Sequence, residues 1–335
     1  MKRYRVAVTG YYGFGNLGDE LMAEAAIAAL LRCGVDRSRV VLMSAAPEES
    51  KQKFGVDCVN RWKLPQVCRT LRQSETLLLG GGGLFQDASS LRSCFYYWWL
   101  VRAARFFGSV PWALGQSVGP LSTRMGLALT RDALSRCRAV QVRDAASEAL
   151  CASIGLSVET GDDLVMSLAD SFAKHVGNEN NDKPRLLINL RPDSHGLAER
   201  FADAVSACSA SFNGEIVGAA LSEEDGRLMS SFVREGRLPV SRVERIASLQ
   251  DAVRLFSSGT AAAGMRLHFV MLAAAAQIPT VAVPYDPKVE SFAAAHNIPL
   301  WRGGEFSLPS PRGFPSFPPA SAREKIDALC RKVLL

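Results

Sequence analysis

The feature that most limits how this chain can fold is an alternation of short apolar runs with helix-spaced segments, repeated in two halves. In the first half Arg5–Thr9, Val40–Ser44, Thr76–Leu79, Val110–Leu114, Ala139–Val142 and Ser157–Glu159 read as strands. Helical patterns fit between them. Asp19–Cys33 carries Leu21, Ala25, Ala28 and Leu31 at helical spacing and stops at Gly34. Such alternation implies parallel strands with helices on both faces, because parallel neighbours need a crossover connection. The polar, aperiodic HVGNENNDK at His175–Lys183 interrupts the pattern and reads as a linker. The alternation then restarts. Arg185–Leu190, Glu215–Ala220, Thr260–Gly264 and Thr280–Val283 read as strands; Gly196–Ser209, Ser248–Ser257 and Arg266–Ala276 read as helices.

The expected fold class is therefore α/β, with two facing Rossmann-like domains built on parallel sheets. Residues 1–173 and 185–310 form the domains and 174–184 the linker. Phe306–Pro319 is rich in Pro, Ser and Gly and reads as loop. A last helix over 320–335 begins with a capping-box pattern at Ser321 and Glu324 and packs the stripe Ile326, Leu329, Cys330 and Val333 on one domain. In sheets of this kind ligands bind beyond the carboxyl ends of the strands, which puts the expected site between the halves.

Composition narrows the function classes. The 335 residues are 48% hydrophobic and 21% charged, enough for two cores. The net charge of +6 is modest, and without a dense Lys/Arg run or a nucleic-acid motif it argues against a nucleic-acid partner. None of the eight cysteines forms a C-x-x-C pair, which suits a reducing compartment and gives no zinc-ligand spacing. The start lacks the apolar core of a signal peptide, and no run reaches transmembrane length, so the expected location is cytoplasmic.

Five motifs carry candidate chemistry. GYYGFGNLGDE at Gly10–Glu20 lies between a strand and a helix and contains G-x-G-x-x-G at Gly13, Gly15 and Gly18. Glycines there let backbone approach an anion at a helix N-terminus. The acidic residue of a dinucleotide site is missing after the second strand, which ends Met43, Ser44, Ala45, so NAD is discounted. Asp19 reads equally as a helix N-cap or as a catalytic carboxylate. The glycines at Gly80–Gly83, Gly81 and Gly82 among them, follow a strand and read as a backbone nest for an anion, as a place for close approach of the other domain, or as a flexible turn. In LGQSVGP, Gln116 and Ser117 suit sugar hydroxyls or a capped turn. Arg143 ends a strand, aimed at the expected cleft or paired at the surface with a carboxylate. GMRLH places Arg266 and His268 at a strand-to-helix junction, where the helix N-terminus adds positive potential. Lys288, in PYDPK, opens the next helix. Arg266, His268 and Lys288 thus form a candidate anion site for a phosphate or carboxylate.

In this order GYYGFGNLGDE, LLLGGGGLFQD, GQSVGPL, VRDAAS, GMRLH and VPYDPKV resemble the polysaccharide pyruvyl transferase family over almost the whole chain, in particular the branch that pyruvylates N-acetylmannosamine in secondary cell-wall polysaccharides. The resemblance implies a GT-B-like fold, phosphoenolpyruvate as donor and a hexose diol on a lipid-linked glycan as acceptor. It implies functional positions at Asp19, Arg143, His268 and Lys288, with Arg266 beside them. Asn16, Asp19, Gln116 and Ser117 fall on the acceptor side, in residues 1–173. Arg266, His268, Lys288, Gly81 and Gly82 fall to the donor. TGDDL at Thr160–Leu164 departs from the family, which often shows Asp-Pro there; Asp162 and Asp163 stand without proline.

Neither a metal nor a cofactor is called for, since cationic side chains can carry the electrostatic load. Two other readings use the same residues. One is a glycosyltransferase taking a nucleotide sugar, with Asp286 or Glu290 at the ribose. The other is a non-catalytic phosphosugar-binding protein. FYYWWLVRAARFF at Phe95–Phe107 reads chiefly as a core helix, and otherwise as a peripheral contact with the inner face of the plasma membrane.

Overall fold

The computed structural model describes residues 2–88, 90–173, 183–308 and 319–335. The linker expected over 174–184 lies outside the described residues except for Lys183 and Pro184, as does 309–318 of the expected loop. The chain divides into two compact units, Met1–Ser167 with Ala320–Leu335, and Leu168–Pro319.

In the first unit the elements run β1 (Tyr4–Thr9), α1 (Leu17–Arg32), β2 (Val40–Ser44), α2 (Pro47–Phe54), β3 (Asp57–Asn60), α3 (Leu64–Gln73), β4 (Ser74–Phe85), α4 (Arg92–Phe106), β5 (Val110–Val118), α5 (Arg124–Leu134), β6 (Val140–Val142), α6 (Ala145–Ser153) and β7 (Glu159–Thr160). They build a seven-stranded parallel sheet in the order β3-β2-β1-β4-β5-β6-β7. Helices cover both faces, so central strands are apolar throughout rather than alternating; every residue of β2, VVLMS, is buried. Helix α4 buries Cys94, Tyr97, Leu100, Val101 and Ala104 and leaves Phe95 and Phe106 exposed.

The second unit contains α7 (Asp170–Ala173), β8 (Arg185–Asn189), α8 (Leu197–Ser209), β9 (Glu215–Ala220), α9 (Glu223–Arg234), β10 (Arg242–Arg245), α10 (Leu249–Ser257), β11 (Ala261–Gly264), α11 (Leu267–Ala275), β12 (Thr280–Ala282) and α12 (Pro287–Ala295). Its five-stranded parallel sheet is ordered β10-β9-β8-β11-β12. Helix α11, LHFVMLAAA, buries nearly every side chain. Rings of Phe201, Trp301 and Phe306 pack 5.1 to 5.5 Å apart in the core.

The last helix, α13 (Pro319–Leu334), belongs to the first unit. Its stripe Ile326, Leu329, Cys330 and Val333 is buried. Arg32 grips Asp327 through two nitrogens at 2.8 to 3.2 Å, Lys325 meets Asp162 at 2.9 Å, and Lys332 pairs with Glu159. Because the helix starts at Pro319, a residue suited to the first turn, Ser321 lies inside that turn rather than at the cap.

Candidate active site

The loop after β1 is held from within. Asn16, with extended backbone at φ −90° and ψ 115°, is the N-cap of α1, and its side-chain oxygen accepts from the Gly18 amide. Asp19 is therefore not the cap. It sits in the first turn, where the helix N-terminus favours a carboxylate, and one of its oxygens accepts from Asn16 Nδ2 at 2.6 Å. Buried Glu20 reaches back to accept from the Gly13 amide at 2.7 Å, and burial pushes its carboxyl upward in pKa. Its carboxylate takes up a loop amide of the kind that a dinucleotide phosphate uses.

The glycine run does not form a flexible turn. Strand β4 continues through it to Phe85, pairing Gly80 with Leu114 and Gly82 with Gln116 on β5. At Gly80 a side chain would overlap the hydroxyl of fully buried Tyr12, which donates to the Gly80 carbonyl. Gly82 has φ +85°, and a Cβ there would lie 3.1 Å from Met22 Cε and 3.8 Å from Asp19 Oδ1. Glycine thus lets the strand pass close beside Asp19 in a conformation that side chains rarely adopt.

Gln116 and Ser117 lie within β5 rather than in a loop. Gln116 is fully buried; its amide nitrogen donates to the Leu79 carbonyl at 2.9 Å, while its Oε1 has no partner among the described residues. Ser117 donates to Asp144 at 3.2 Å. Arg143 follows β6, and its amide donates to the Gln116 carbonyl at 2.9 Å. Its side chain is only 5% exposed and pairs with Asp163, itself 2% exposed; Asp144 is 3.8 Å from its Nε. The pair is buried rather than at the surface. Asn16 and Asp19, Gly82, Gln116 and Ser117, and Arg143 follow or end β1, β4, β5 and β6, four successive strands of the sheet.

In the second unit Arg266 is the N-cap residue of α11, and its amide donates to Asn189 Oδ1 at 2.9 Å. Its guanidinium does not stand open as a free cation. Nε and Nη2 donate to the two oxygens of fully buried Asp225 at 2.7 Å, and Nη2 also donates to Ser222 at 2.8 Å. Burial works to lower the Arg266 pKa, but Asp225 outweighs it and the net direction is upward. His268 lies in the first turn of α11, half-buried. Lys288 lies in the first turn of α12, its amide donating to the cap residue Asp286 at 2.9 Å. Strands β11 and β12 are hydrogen-bonded neighbours, so these residues share one carboxyl edge.

Sequence reasoning missed the groups beside that edge. A cavity of about 650 Å³ is walled by Arg191, Asp193, His195, Arg200 and Tyr285 among others. Arg191 follows β8 and Tyr285 follows β12, the two strands that flank β11. The Arg191 guanidinium carbon lies 4.0 Å from the Tyr285 ring centroid. Asp193 accepts from the amides of His195, Leu197 and Ala198 at 2.8 to 3.0 Å. Burial opposes its ionisation, but those bonds hold its carboxyl below the usual value. Arg191, Asp193, His195 and Arg200 lie in one stretch after β8, and the sheet order brings Tyr285 beside them. No group of three or more His, Cys, Asp or Glu side chains among the described residues is arranged to hold a metal ion. No helix among them is long and apolar enough to cross a membrane.

Two Rossmann-like units with parallel sheets define the GT-B class of architecture, and solved structures of that class superpose on the chain. Anabaena HepE, solved with UDP and glucose, matches with a TM-score of 0.55 at 12% identity, over 99% of this chain and 94% of that one. UDP-GlcNAc 2-epimerase from Methanocaldococcus jannaschii matches at 0.63 and 9%, over 98% and 99%. Acinetobacter baumannii MurG matches at 0.51 and 11%, over 99% and 92%. At these identities the likeness is one of fold. A comparison with curated proteins gave no significant match. The family is fixed by sequence: the profile of polysaccharide pyruvyl transferases matches residues 16–287, most of the chain. The chain belongs to the polysaccharide pyruvyl transferase family, and it is a transferase.

Proposed function

We propose that the protein transfers a pyruvyl group from phosphoenolpyruvate to two hydroxyls of a hexose, forming a cyclic ketal. The acceptor is N-acetylmannosamine in a lipid-linked precursor of a cell-wall glycan. The observation that carries this reading is a carboxylate, Asp19, at the carboxyl edge of one sheet and basic side chains at that of the other; Arg143, also on the first edge, is paired with Asp163. The carboxyl edge of the first holds Asp19, steadied by Asn16. The carboxyl edge of the second holds Arg266, His268 and Lys288, with Arg191 in the cavity wall beside them. A diol needs a base, and phosphoenolpyruvate, with its phosphate and carboxylate, needs fixed cations.

The chemistry balances with these groups. A proton added to the methylene carbon of phosphoenolpyruvate makes the neighbouring carbon oxocarbenium-like. His268, able to move a proton near neutral pH, supplies it. One sugar hydroxyl adds to that carbon and gives its proton to Asp19; the C–O bond to phosphate breaks; the second hydroxyl closes the ketal. The two hydroxyl protons balance the step: one replaces the proton that His268 gave to the methylene carbon, and the other leaves with phosphate. Lys288 holds the donor by charge, and Arg266, fixed by Asp225, shapes the junction that carries His268. Gly81 and Gly82 are assigned to the donor as a backbone nest for its anionic groups. Arg143, permanently charged and buried against Asp163, stabilises the departing phosphate rather than acting as an acid. Ser117 and Gln116, both buried, brace the acceptor edge from beneath.

Phosphate release from phosphoenolpyruvate tests the reading. It should require an N-acetylmannosaminyl acceptor, and His268→Ala should raise the Michaelis constant for phosphoenolpyruvate or abolish turnover. Full activity in that variant removes His268 from the site. Thermal protection by UDP but not by phosphoenolpyruvate would instead favour a nucleotide-sugar enzyme.

A further inference from the structure

Next to the Asn16–Asp19 loop, the first unit carries a group of exposed aromatic rings that the transfer chemistry does not use. Tyr11 and Phe14, both in the loop after β1, stack face to face with centroids 4.0 Å apart and planes at 12°. Trp62, just after β3, meets Phe14 edge-on at 6.4 Å and Tyr96 at 5.8 Å. These rings are open to solvent: Tyr11 is 49% exposed, Phe14 39% and Trp62 59%.

Beneath them lies Arg61, only 3% exposed. Its guanidinium carbon is 4.6 Å from the Tyr96 ring centroid, 5.0 Å from Trp62, 5.5 Å from Phe14 and 5.9 Å from Tyr11. Its Nη1 donates to the Gly10 carbonyl at 2.5 Å and its Nη2 to the Tyr97 hydroxyl at 3.2 Å. One buried cation therefore ties the β1 loop to the β3 loop and fixes the rings over itself. A surface built in this way is rigid before any ligand arrives, which lowers the ordering cost of binding.

We infer that Tyr11, Phe14 and Trp62 form a platform on which a hexopyranose ring of the acceptor glycan stacks, extending the acceptor site outward from Asp19. Three observations commit the surface to a sugar. The rings sit at the carboxyl ends of β1 and β3, where parallel sheets of this type take small ligands. Tyr11 and Phe14 belong to the same loop that delivers Asn16 and Asp19, so a glycan seated on them continues into the acceptor residues. Exposed aromatic faces suit the C–H faces of a pyranose, and the Tyr11 hydroxyl, with no partner among the described residues, suits a sugar hydroxyl. The inference rests on the acceptor side of the proposed function.

Saturation-transfer NMR on the full chain tests it without phosphoenolpyruvate and without turnover. The probes are the methyl glycoside of N-acetylmannosamine and an N-acetylmannosaminyl–N-acetylglucosamine disaccharide. The wild type should transfer magnetisation from aromatic protons to the ring protons of the disaccharide. Trp62→Ala and the Tyr11→Ala/Phe14→Ala pair should each weaken disaccharide binding by about tenfold, as expected for loss of a stacked ring. Trp62→Phe should recover most of it, which a mere loss of folding would not allow. Unchanged affinity in both alanine variants, or no saccharide binding by the wild type, overturns the platform. Binding of phosphatidylglycerol vesicles that the same variants abolish, with saccharide affinity unaltered, overturns it in favour of a membrane contact. Platform-dependent saccharide binding in a protein that makes no ketal would sink the transferase reading and leave this one standing.

Discussion

Each unit ties an arginine near a strand end to a buried aspartate from a distant segment, but the two pairs are built differently. Arg266 forms a fork on Asp225 with a further bond to Ser222, and the aspartate is fully buried. Arg143 pairs with Asp163 and keeps a second carboxylate, Asp144, within 3.8 Å. In the second unit the fork clamps one geometry onto the junction that carries His268. In the first, two carboxylates share one cation, so neutralisation there does not depend on a single partner. The arginine nearest the candidate donor residues thus acts as an anchor for the junction that carries His268.

Removing the partner aspartates separates these roles. Asp225→Ala should cost about 4 kcal/mol in urea unfolding, the usual scale for stranding one half of a buried pair. Asp163→Ala should cost less, because Asp144 remains. Equal losses would break the comparison. The next largest effects are on turnover. His268→Ala should lower kcat/KM for phosphoenolpyruvate by about a hundredfold to a thousandfold and remove thermal protection by that donor. Asp19→Asn should lower kcat by about a hundredfold while leaving the protection in place. Loss of protection in Asp19→Asn would contradict the division of labour between the units.

Two smaller effects sharpen it. Gly80→Ala forces a methyl group onto the Tyr12 hydroxyl and should destabilise by about 2 kcal/mol, read by thermal melting. The last concerns helix anchors. Asp193 accepts three backbone amides around the start of α8, and Asp87 accepts from the amides and hydroxyls of Ser122 and Thr123 at the start of α5, at 2.5 to 3.0 Å. Burial works to raise the Asp87 pKa, but those bonds prevail and bring it from 3.8 to about 2. A carboxyl depressed in the folded state adds stability above its unfolded value and loses it as pH falls through the folded one. Asp87→Asn should therefore be less stable than wild type by about 1 kcal/mol at pH 7. That gap should close between the two pKa values; one that persists unchanged at low pH contradicts the assignment.

The sequence pattern revealed central elements well and edges poorly. Strands Val40–Ser44 and Glu215–Ala220 match their observed bounds because both are continuous apolar runs buried on two faces. Strands β3, DCVN, and β10, RVER, are edge strands with partly exposed residues, and nothing apolar announces them. The glycine run hid the continuation of β4, since glycine signals a turn until a neighbouring strand pairs with it. Among the candidate residues, Asp19 and the GMRLH junction stand out in the sequence because both are local strand-to-helix motifs. The partners that decide what the arginines do, 20 residues away for Arg143 and 41 for Arg266, do not. Arg61 and the cavity wall at Arg191 likewise depend on which loops the sheet order brings side by side.

The most direct measurement follows phosphoenolpyruvate labelled with carbon-13 at its phosphate-bearing carbon, mixed with the protein and an N-acetylmannosaminyl acceptor. A ketal carbon signal should grow one-for-one with free phosphate and be absent without acceptor. Label that stays in phosphoenolpyruvate, or that appears only as free pyruvate, would contradict pyruvyl transfer.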